Sequence, residues 1–257
     1  MKNLKKMRNR LPACIALLLI AVLWQLLCMS GLVPNYMLPS PLEVVSALFR
    51  DISTILYHSM YTLQEAFYGL CIGIVLAFLM ATLMDRFLMV NRALYPILVI
   101  TQTIPTIAIA PILVLWMGFG MAPKIALVVI TTFFPIAVGL LDGYSSVDPD
   151  EIDLMRSMGA GRRQIFYHVK LPAALPHFFS GLKISASYAV VGAVVSEWLG
   201  GFTGLGVYMT RVKKAYAFDK MFAVILFIVM ISLLLMAFVQ FIRKIALPWD
   251  AVASKNM

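Results

Sequence analysis

Charged residues are scarce in this sequence. Only 13% of its 257 residues are Asp, Glu, Lys or Arg, whereas 62% are hydrophobic and the mean hydropathy is +0.92. A soluble domain usually carries about 25% charged and about 45–50% apolar residues. Because so little polar surface cannot cover a water-soluble fold, the composition predicts an integral membrane protein.

Signals of bound metal, disulfides and nucleotide chemistry are also missing. The three cysteines, Cys14, Cys28 and Cys71, lie inside apolar runs and show no metal-ligand spacing or disulfide framework. The three histidines are scattered, and no G-x-x-x-x-G-K-[ST] loop for ATP phosphates occurs. An intramembrane enzyme would need a nucleophile–base pair or a motif such as H-E-x-x-H. The sequence has neither, so we expect no catalytic residues and no metal site.

The formal net charge of +9 comes from Lys and Arg that lie mostly between apolar runs. In such positions they face the cytosol and anionic lipid headgroups. No nucleic-acid-binding motif accompanies them. We therefore predict that these basic residues interact with the membrane and not with nucleic acid.

Six apolar windows are long enough to cross the hydrocarbon core, which is roughly 30 Å thick. They lie near 11–30, 61–84, 93–117, 124–141, 176–199 and 221–243. The first window follows a basic N-terminus, as in a signal peptide, but its length and the lack of an A-x-A-like site predict a retained anchor. The expected fold is all-α and integral to the membrane, with six transmembrane helices.

The distribution of Lys and Arg favours an orientation with both termini in the cytoplasm. In that orientation fourteen of the 21 lie in cytoplasmic segments, six lie in outer segments, and Lys183 falls within a span. Cytoplasmic loops are the ones that carry excess positive charge. The segment from Arg211 to Lys220 is an exception, because it places a basic cluster outside. We expect a multi-pass protein of the inner (cytoplasmic) membrane.

Two further helices are indicated by their caps. "SPLE", from Ser40 to Glu43, is a capping box with proline at the first helical position, which predicts an outer helix that begins at Pro41. "DPDE", from Asp148 to Glu151, follows the same logic and predicts a cytoplasmic helix that begins at Pro149.

Residues 149–172 form a basic segment with a glycine break. "GAG" at 159–161 should separate two short helices, and the second should end at Leu171-Pro172, because a residue before proline is pushed out of the helical region. The apolar side of the two helices is expected to comprise Ile152, Met155, Ile165, Phe166 and Val169. Such a segment suits docking into a groove of a partner protein. Alternatively, its positive charge serves only to set topology.

This segment resembles the "EAA---G---------I-LP" signature of permease subunits of binding-protein-dependent ABC importers. Asp153, Gly159, Val169 and Leu171-Pro172 match its spacing, while the triplet reads Asp-Leu-Met in place of EAA. "LPSPLEVVSAL", "QTIPTIAIAPILVLWMGFG" and "GLKISASYAVVGAVVSEWLGGFTGLG" are similar to the nitrate/sulfonate/taurine branch. "SEWLGG" and "FFPIAVGLLDG" are most like permeases for hydroxymethylpyrimidine-type thiamine precursors and for riboflavin.

The resemblance implies a type I ABC importer architecture, with a cytoplasmic coupling helix between spans 4 and 5. One permease domain would cover 1–257, with a core of about 60–245, an N-terminal span at 11–30 and the coupling segment at 149–172. It further implies a second permease copy, two ATP-binding subunits that hold ATP-Mg, and an extracytoplasmic solute-binding protein, with no cofactor bound by this chain. The residues expected to couple to the ATPase are Asp153, Arg156, Gly159, Ala160, Arg162, Leu171 and Pro172.

The third window carries the features expected of a translocation path. It contains three prolines, which kink helices, and freed carbonyls are tolerated at membrane depth only against protein or a water-filled cavity. The residues predicted to line the path are Gln102, Thr103, Pro105 and Thr106, joined by Ser185 and Tyr188 of the fifth window. The alternative is that these polar groups only hold helices together.

Charged residues within the predicted spans should face a cavity or an interface, because burying a charge in lipid costs at least about 2.5–3.5 kcal/mol. Glu65 and Glu197 lie near the outer ends of their spans, where they would serve as an outer gate or in charge pairing. The expected partner of Glu197 is the outer basic cluster, from Arg211 to Lys220. Lys183 either faces the path or extends its ammonium group toward the cytoplasm.

Two functions of different classes remain open. An ATP-driven importer explains residues 149–172, and its solute would be a thiamine pyrimidine precursor, or else a sulfonate, taurine, nitrate or riboflavin. An ion-coupled secondary transporter would be expected to show inverted repeats and midplane acids. No repeat is detectable, and the acids lie near span ends.

Overall fold

The computed structural model describes residues 2–31, 33–34 and 37–249. Every regular element in these ranges is helical, which confirms the predicted all-α class. The helices are α1 (Lys2–Met29), α2 (Pro41–Arg50), α3 (Ile52–Arg86), α4 (Leu88–Thr103), α5 (Thr106–Met117), α6 (Met121–Ser145), α7 (Pro149–Ser157), α8 (Arg162–Ile165), a π-helical segment (Phe166–Lys170), α9 (Leu171–Glu197), α10 (Leu205–Lys214) and α11 (Phe218–Ala246). The side chain of Cys14 and the predicted cytoplasmic Lys255 lie outside the described part.

Four helical stretches are long and apolar enough to cross a membrane. They are Ile52–Arg86, Met121–Ser145, Arg162–Glu197 and Phe218–Ala246. The bent pair of helices α4 and α5 is a fifth candidate if the two are taken together as a single span. Ile15–Met29 within α1 is a shorter apolar helix. The described residues therefore contain four to five candidate spans by length and composition, where the sequence windows predicted six.

The third predicted span is broken at Pro105. Helices α4 and α5 are bent by 101° relative to each other across this break. Ile104 has φ −81° and ψ 122°, the extended conformation that a following proline imposes. Pro96 and Pro111 instead remain inside α4 and α5. Only one of the three prolines therefore interrupts the helix.

Both capped helices begin where the sequence predicts. Ser40 Oγ accepts the Glu43 N–H at 3.3 Å, and the Ser40 N–H donates to Glu43 Oε2 at 2.8 Å, which completes a capping box. At the start of α7 the carboxylate of Asp148 accepts the Asp150 N–H at 3.0 Å. These local hydrogen bonds satisfy donors that the first helical turn leaves free.

The predicted helix end at Leu171-Pro172 is wrong. Helical structure continues from Arg162 to Glu197, and Leu171 itself is helical, with φ −65° and ψ −47°. The Leu171 N–H bonds to the Phe166 carbonyl, five residues back, as in a π-turn. Pro172 thus falls in the first turn of α9, where a missing N–H is tolerated.

The chain divides into two compact units. The larger one comprises residues 58–207 and 228–257, and its centre is the pair α6 and α9. A Cβ atom at Gly139 would lie 2.8 Å from the His177 carbonyl oxygen, and one at Gly143 would lie 2.5 Å from Ala174 Cα. Because only glycine permits this approach, the G-x-x-x-G spacing of α6 brings the two backbones into contact.

The smaller unit comprises residues 1–57 and 208–227. The Tyr208 hydroxyl donates to Asp51 at 2.6 Å, and Lys220 pairs with the same carboxylate at 2.8 Å. Desolvation acts to raise the Asp51 pKa, but the hydrogen bonds from Lys220 and Tyr208 outweigh it, so that pKa lies below its usual value. In the same unit Trp24 packs against Phe222, with ring centroids 5.9 Å apart.

Candidate functional site

The glycine break after α7 is a helix C-cap. Gly159 has φ +84°, and its N–H bonds to the Arg156 carbonyl while the Ala160 N–H bonds to the Met155 carbonyl, both at 2.9 Å. This pair of bonds is the Schellman motif, in which glycine occupies the left-handed position. Gly159 is therefore required by backbone conformation, because its Cβ position is otherwise open.

A groove of about 620 Å³ lies between this capped turn and the C-terminal end of α3. Lys170 pairs with Asp85 at 2.6 Å and so ties the π-helical segment to α3. The Phe166 ring packs on Tyr144 of α6 with centroids 5.4 Å apart. The groove is lined by Thr82, Asp85, Arg86, Ile152, Arg156, Arg162, Arg163, Ile165, Phe166, Tyr167 and Lys170.

The exposed apolar surface of residues 149–172 differs from the prediction. Ile165 is buried and Phe166 is half-buried, so this side of the segment packs against the rest of the protein. Leu154 and Met158 are instead 62% and 76% exposed, four residues apart on one face of α7 and its cap. The prediction failed because Ile165 and Phe166 belong to a helix that is continuous with α9. They therefore pack into the protein core together with α9.

The predicted coupling residues fall into two groups. Asp153, Arg156, Gly159 and Arg162 are exposed, whereas Ala160, Leu171 and Pro172 are half-buried. Arg156 pairs with Asp153 at 2.9 Å, but both side chains are about two-thirds exposed, and pairs of this kind contribute only about 0–1 kcal/mol. Both side chains therefore remain available to a partner.

The bend between α4 and α5 opens onto a second cavity, of about 190 Å³. It brings together three of the predicted path residues, Gln102, Thr106 and Tyr188. The complete lining is Thr101, Gln102, Ile104, Thr106, Ile130, Thr131, Tyr188, Val191 and Gly192. Sequence reasoning missed Thr131, which follows directly on an apolar run of α6.

The other predicted path residues lie elsewhere. Thr103 is exposed, and its hydroxyl donates to the Ile100 carbonyl at 2.8 Å. Ser185 is fully buried and donates to the Thr132 carbonyl of α6 at 2.7 Å, so it holds α9 against α6. Lys183 is half-buried and has no ion-pair partner among the described residues.

A buried ionic cluster joins α3, α6 and α9. Lys124 pairs with Glu65 at 2.7 Å, and the two side chains are only 7% and 3% exposed. Glu197 is 1% exposed and is close enough to Glu65 to interact electrostatically with it. The second oxygen of Glu65 has no hydrogen-bond donor among the described residues. The ion-pair partner of Glu65 is thus Lys124, which the sequence analysis counted only as an outer charge.

Glu197 also fixes the start of α10. Its carboxylate accepts the Thr62 hydroxyl at 2.7 Å and the Gly206 N–H at 2.6 Å. Close by, the Gly204 N–H donates to His58 Nδ1 at 3.1 Å. An oxygen acceptor at this position satisfies an N–H group that the first turn of a helix leaves without an intrahelical partner. These contacts tie the glycine-rich loop 200–206 to the N-terminal part of α3.

The comparisons with known proteins agree with these features. Residues 71–248 match the model of the family described as "Binding-protein-dependent transport system inner membrane component". The formylaminopyrimidine transport permease protein ThiX of Halalkalibacterium halodurans is 39% identical over 96% of this chain and 98% of that protein. The riboflavin transport system permease protein RibX of Chloroflexus aurantiacus is 29% identical over 92% and 89%.

A solved structure of the MetNI methionine ABC transporter, in inward-facing conformations, shares the fold. It has a TM-score of 0.60 at 22% identity and covers 75% of this chain and 94% of that chain. The family match spans well over half of the sequence, and the first relative covers almost all of it. The chain therefore belongs to the family of inner-membrane, multi-pass permease components of binding-protein-dependent ABC importers, whose transport depends on separate ATPase and solute-binding proteins.

Proposed function

We propose that this chain, paired with a second copy of itself, forms the translocation path of an importer for a pyrimidine precursor of thiamine. The solute follows from the similarity to ThiX, which is named for formylaminopyrimidine transport. Permeases for riboflavin, sulfonates, taurine or nitrate are the alternatives within the family. In this proposal the whole chain, 1–257, is one permease domain with six spans, of which α1 supplies the first and the bent pair α4 and α5 the third.

The coupling of ATP hydrolysis is assigned to residues 149–172, with both chain termini on the same, cytoplasmic side. The observation that carries this assignment is the groove beside the capped turn at Gly159. Its rim carries Arg86, Arg156, Arg162 and Arg163, of which only Arg156 has an ion-pair partner among the described residues. Leu154 and Met158 add exposed apolar side chains next to it.

An ATPase surface that fits this groove would be acidic at its edge and apolar at its centre. Aligned charges of opposite sign steer association, while buried apolar anchors supply most of the binding energy. The two ATP-binding subunits would each hold one copy of this segment, and ATP-Mg would bind to them.

Charge reversal at the groove tests the assignment. The double variant Arg162→Glu with Arg163→Glu should lose the ATPase subunits during copurification, because its groove would repel an acidic partner. The matched control is Lys213→Glu with Lys214→Glu, an exposed pair with the same change in charge on the predicted outer side. If both double variants retain the ATPase subunits equally, residues 149–172 are not the docking site.

The cluster of Glu65, Lys124 and Glu197 is proposed as part of the outer gate. Its contacts hold the loop 200–206 against the ends of α3 and α9, where a solute-binding protein would dock on the outer side. Breaking these contacts should raise ATP hydrolysis in the absence of the solute-binding protein, because the outer end would no longer be held closed.

A further inference from the structure

The cavity at the bend between α4 and α5 has a lining without formal charge. Its nine residues include three threonines, a glutamine and a tyrosine, but no Lys, Arg, Asp or Glu. Burying an unpaired anion is far more costly than burying a neutral polar group. Sulfonates and nitrate are anions, so they would find no cationic side chain here to offset the loss of their hydration.

The polar groups of the lining suit a ligand that both donates and accepts hydrogen bonds. The Gln102 amide offers an acceptor and two donors, and the Tyr188 hydroxyl and the Thr106 hydroxyl can each act in both roles. These three side chains make no hydrogen bond within the described part of the protein. Their hydrogen-bonding capacity is therefore available to a solute.

The small volume of the cavity restricts the size of its ligand. Its volume of about 190 Å³ is below the roughly 300 Å³ at which pockets for drug-sized molecules begin. Gly192 helps to open this space, because a Cβ atom there would lie 2.9 Å from the Thr131 hydroxyl. Tyr188, 48% exposed, also offers an aromatic ring face to a planar solute.

We propose that this cavity is a solute subsite that selects an uncharged, single-ring nitrogen heterocycle, with Gln102, Thr106 and Tyr188 as its specificity-determining residues. The proposal rests on the proposed importer function and gives this chain a share of the selectivity. In this proposal the cavity excludes sulfonates and nitrate because it has no cationic side chain to pair with an anion. The same lack excludes zwitterionic taurine, whose sulfonate group would stay unpaired, and riboflavin is excluded because it is too large.

The test uses the permease with its ATPase subunits and without a solute-binding protein, so that selectivity comes from the permease. Native Cys14, Cys28 and Cys71 are replaced by serine, and Val191→Cys is the reporter, because it lines the cavity without contributing a polar group. A water-soluble maleimide should label this cysteine. Formylaminopyrimidine should slow the labelling, while taurine and riboflavin at equal concentration should not. Leu127→Cys, at a fully buried position, controls for non-specific labelling.

Substitutions then separate recognition from access. Tyr188→Phe and Gln102→Leu each remove one hydrogen-bonding group, so about two- to tenfold more formylaminopyrimidine should be needed for half-protection. Thr103→Val is the matched control, because Thr103 is adjacent to Gln102 but outside the cavity lining. It should leave protection unchanged.

Three results would overturn the inference. They are a reporter no more reactive than Leu127→Cys, equal protection by taurine, or unchanged protection in both Tyr188→Phe and Gln102→Leu. None of these three results bears on whether the complete system, with its solute-binding protein, takes up the solute with ATP. If the protein without substitutions showed no such uptake, the proposed function itself would be contradicted.

Discussion

Removal of Lys124 from the buried cluster should destabilise the protein strongly. Lys124→Met would leave the Glu65 carboxylate, whose side chain is only 3% exposed, without the one ion-pair partner that it has among the described residues. One oxygen of this carboxylate already has no hydrogen-bond donor within the same residues. Removing one member of a buried ion pair typically costs about 3–5 kcal/mol. For a chain of this length, at about 2–4 °C per kcal/mol, the melting temperature should fall by about 6–20 °C.

The assay is thermal unfolding of the detergent-purified complex, with two comparisons. Lys183→Met removes a half-buried lysine that has no ion-pair partner in the described ranges, and it should shift the melting temperature by less than about 2 °C, as weakly coupled sites do. The double variant Glu65→Gln with Lys124→Met removes both charges and should recover at least half of the loss. A Lys124→Met protein as stable as Lys183→Met, or a double variant no better than the single one, would refute the reasoning.

Three other predictions concern the turn at Gly159, the topology and the helix packing. Gly159→Ala should strain the left-handed cap by about 1–2 kcal/mol and lower ATP-driven uptake severalfold at normal expression, whereas Gly161→Ala, at φ −74°, should not; equal uptake in both variants would contradict this. Cysteines at the exposed positions Ser145 and Phe202 should be labelled from opposite sides of the membrane, and labelling from one side would rule out the six-span topology. Gly181→Leu should abolish the monodisperse size-exclusion peak, because even a Cβ at Gly181 overlaps the backbone of Pro135; an unchanged peak would show that α6 and α9 can separate.

Local signals carried the successful part of the sequence analysis. The caps at Ser40 and Asp148, and the glycine at 159, rest on hydrogen bonds among neighbouring residues, and the structure has each of them. The break at Pro105 is local as well, because proline constrains the residue before it. Such features depend little on how helices pack.

Features that depend on helix rotation were not predictable in the same way. Ser185 and Tyr188 lie three residues apart on α9, yet the first bonds to α6 and the second lines a cavity. In a helix that is apolar on nearly all sides, no polar face indicates the direction in which each residue points. Likewise, nothing local to Lys124 shows that its partner is Glu65, 59 positions away.

The π-helical segment explains the error at Leu171-Pro172. A proline normally ends a helix because it removes a donor and clashes with the preceding turn. Here the wider turn from Phe166 to Leu171 shifts the hydrogen-bond register by one residue, so the helix continues through the proline. The sequence pattern alone does not distinguish this arrangement from a helix end.

The most direct test of the central claim is solute uptake by the complete transporter in proteoliposomes. The permease would be reconstituted with its ATPase subunits, with the solute-binding protein on the outer side and labelled formylaminopyrimidine as the solute. We predict accumulation that requires ATP-Mg on the ATPase side, requires the solute-binding protein and is insensitive to ionophores. Accumulation by the permease alone, driven by a sodium or proton gradient without ATP, would contradict the account.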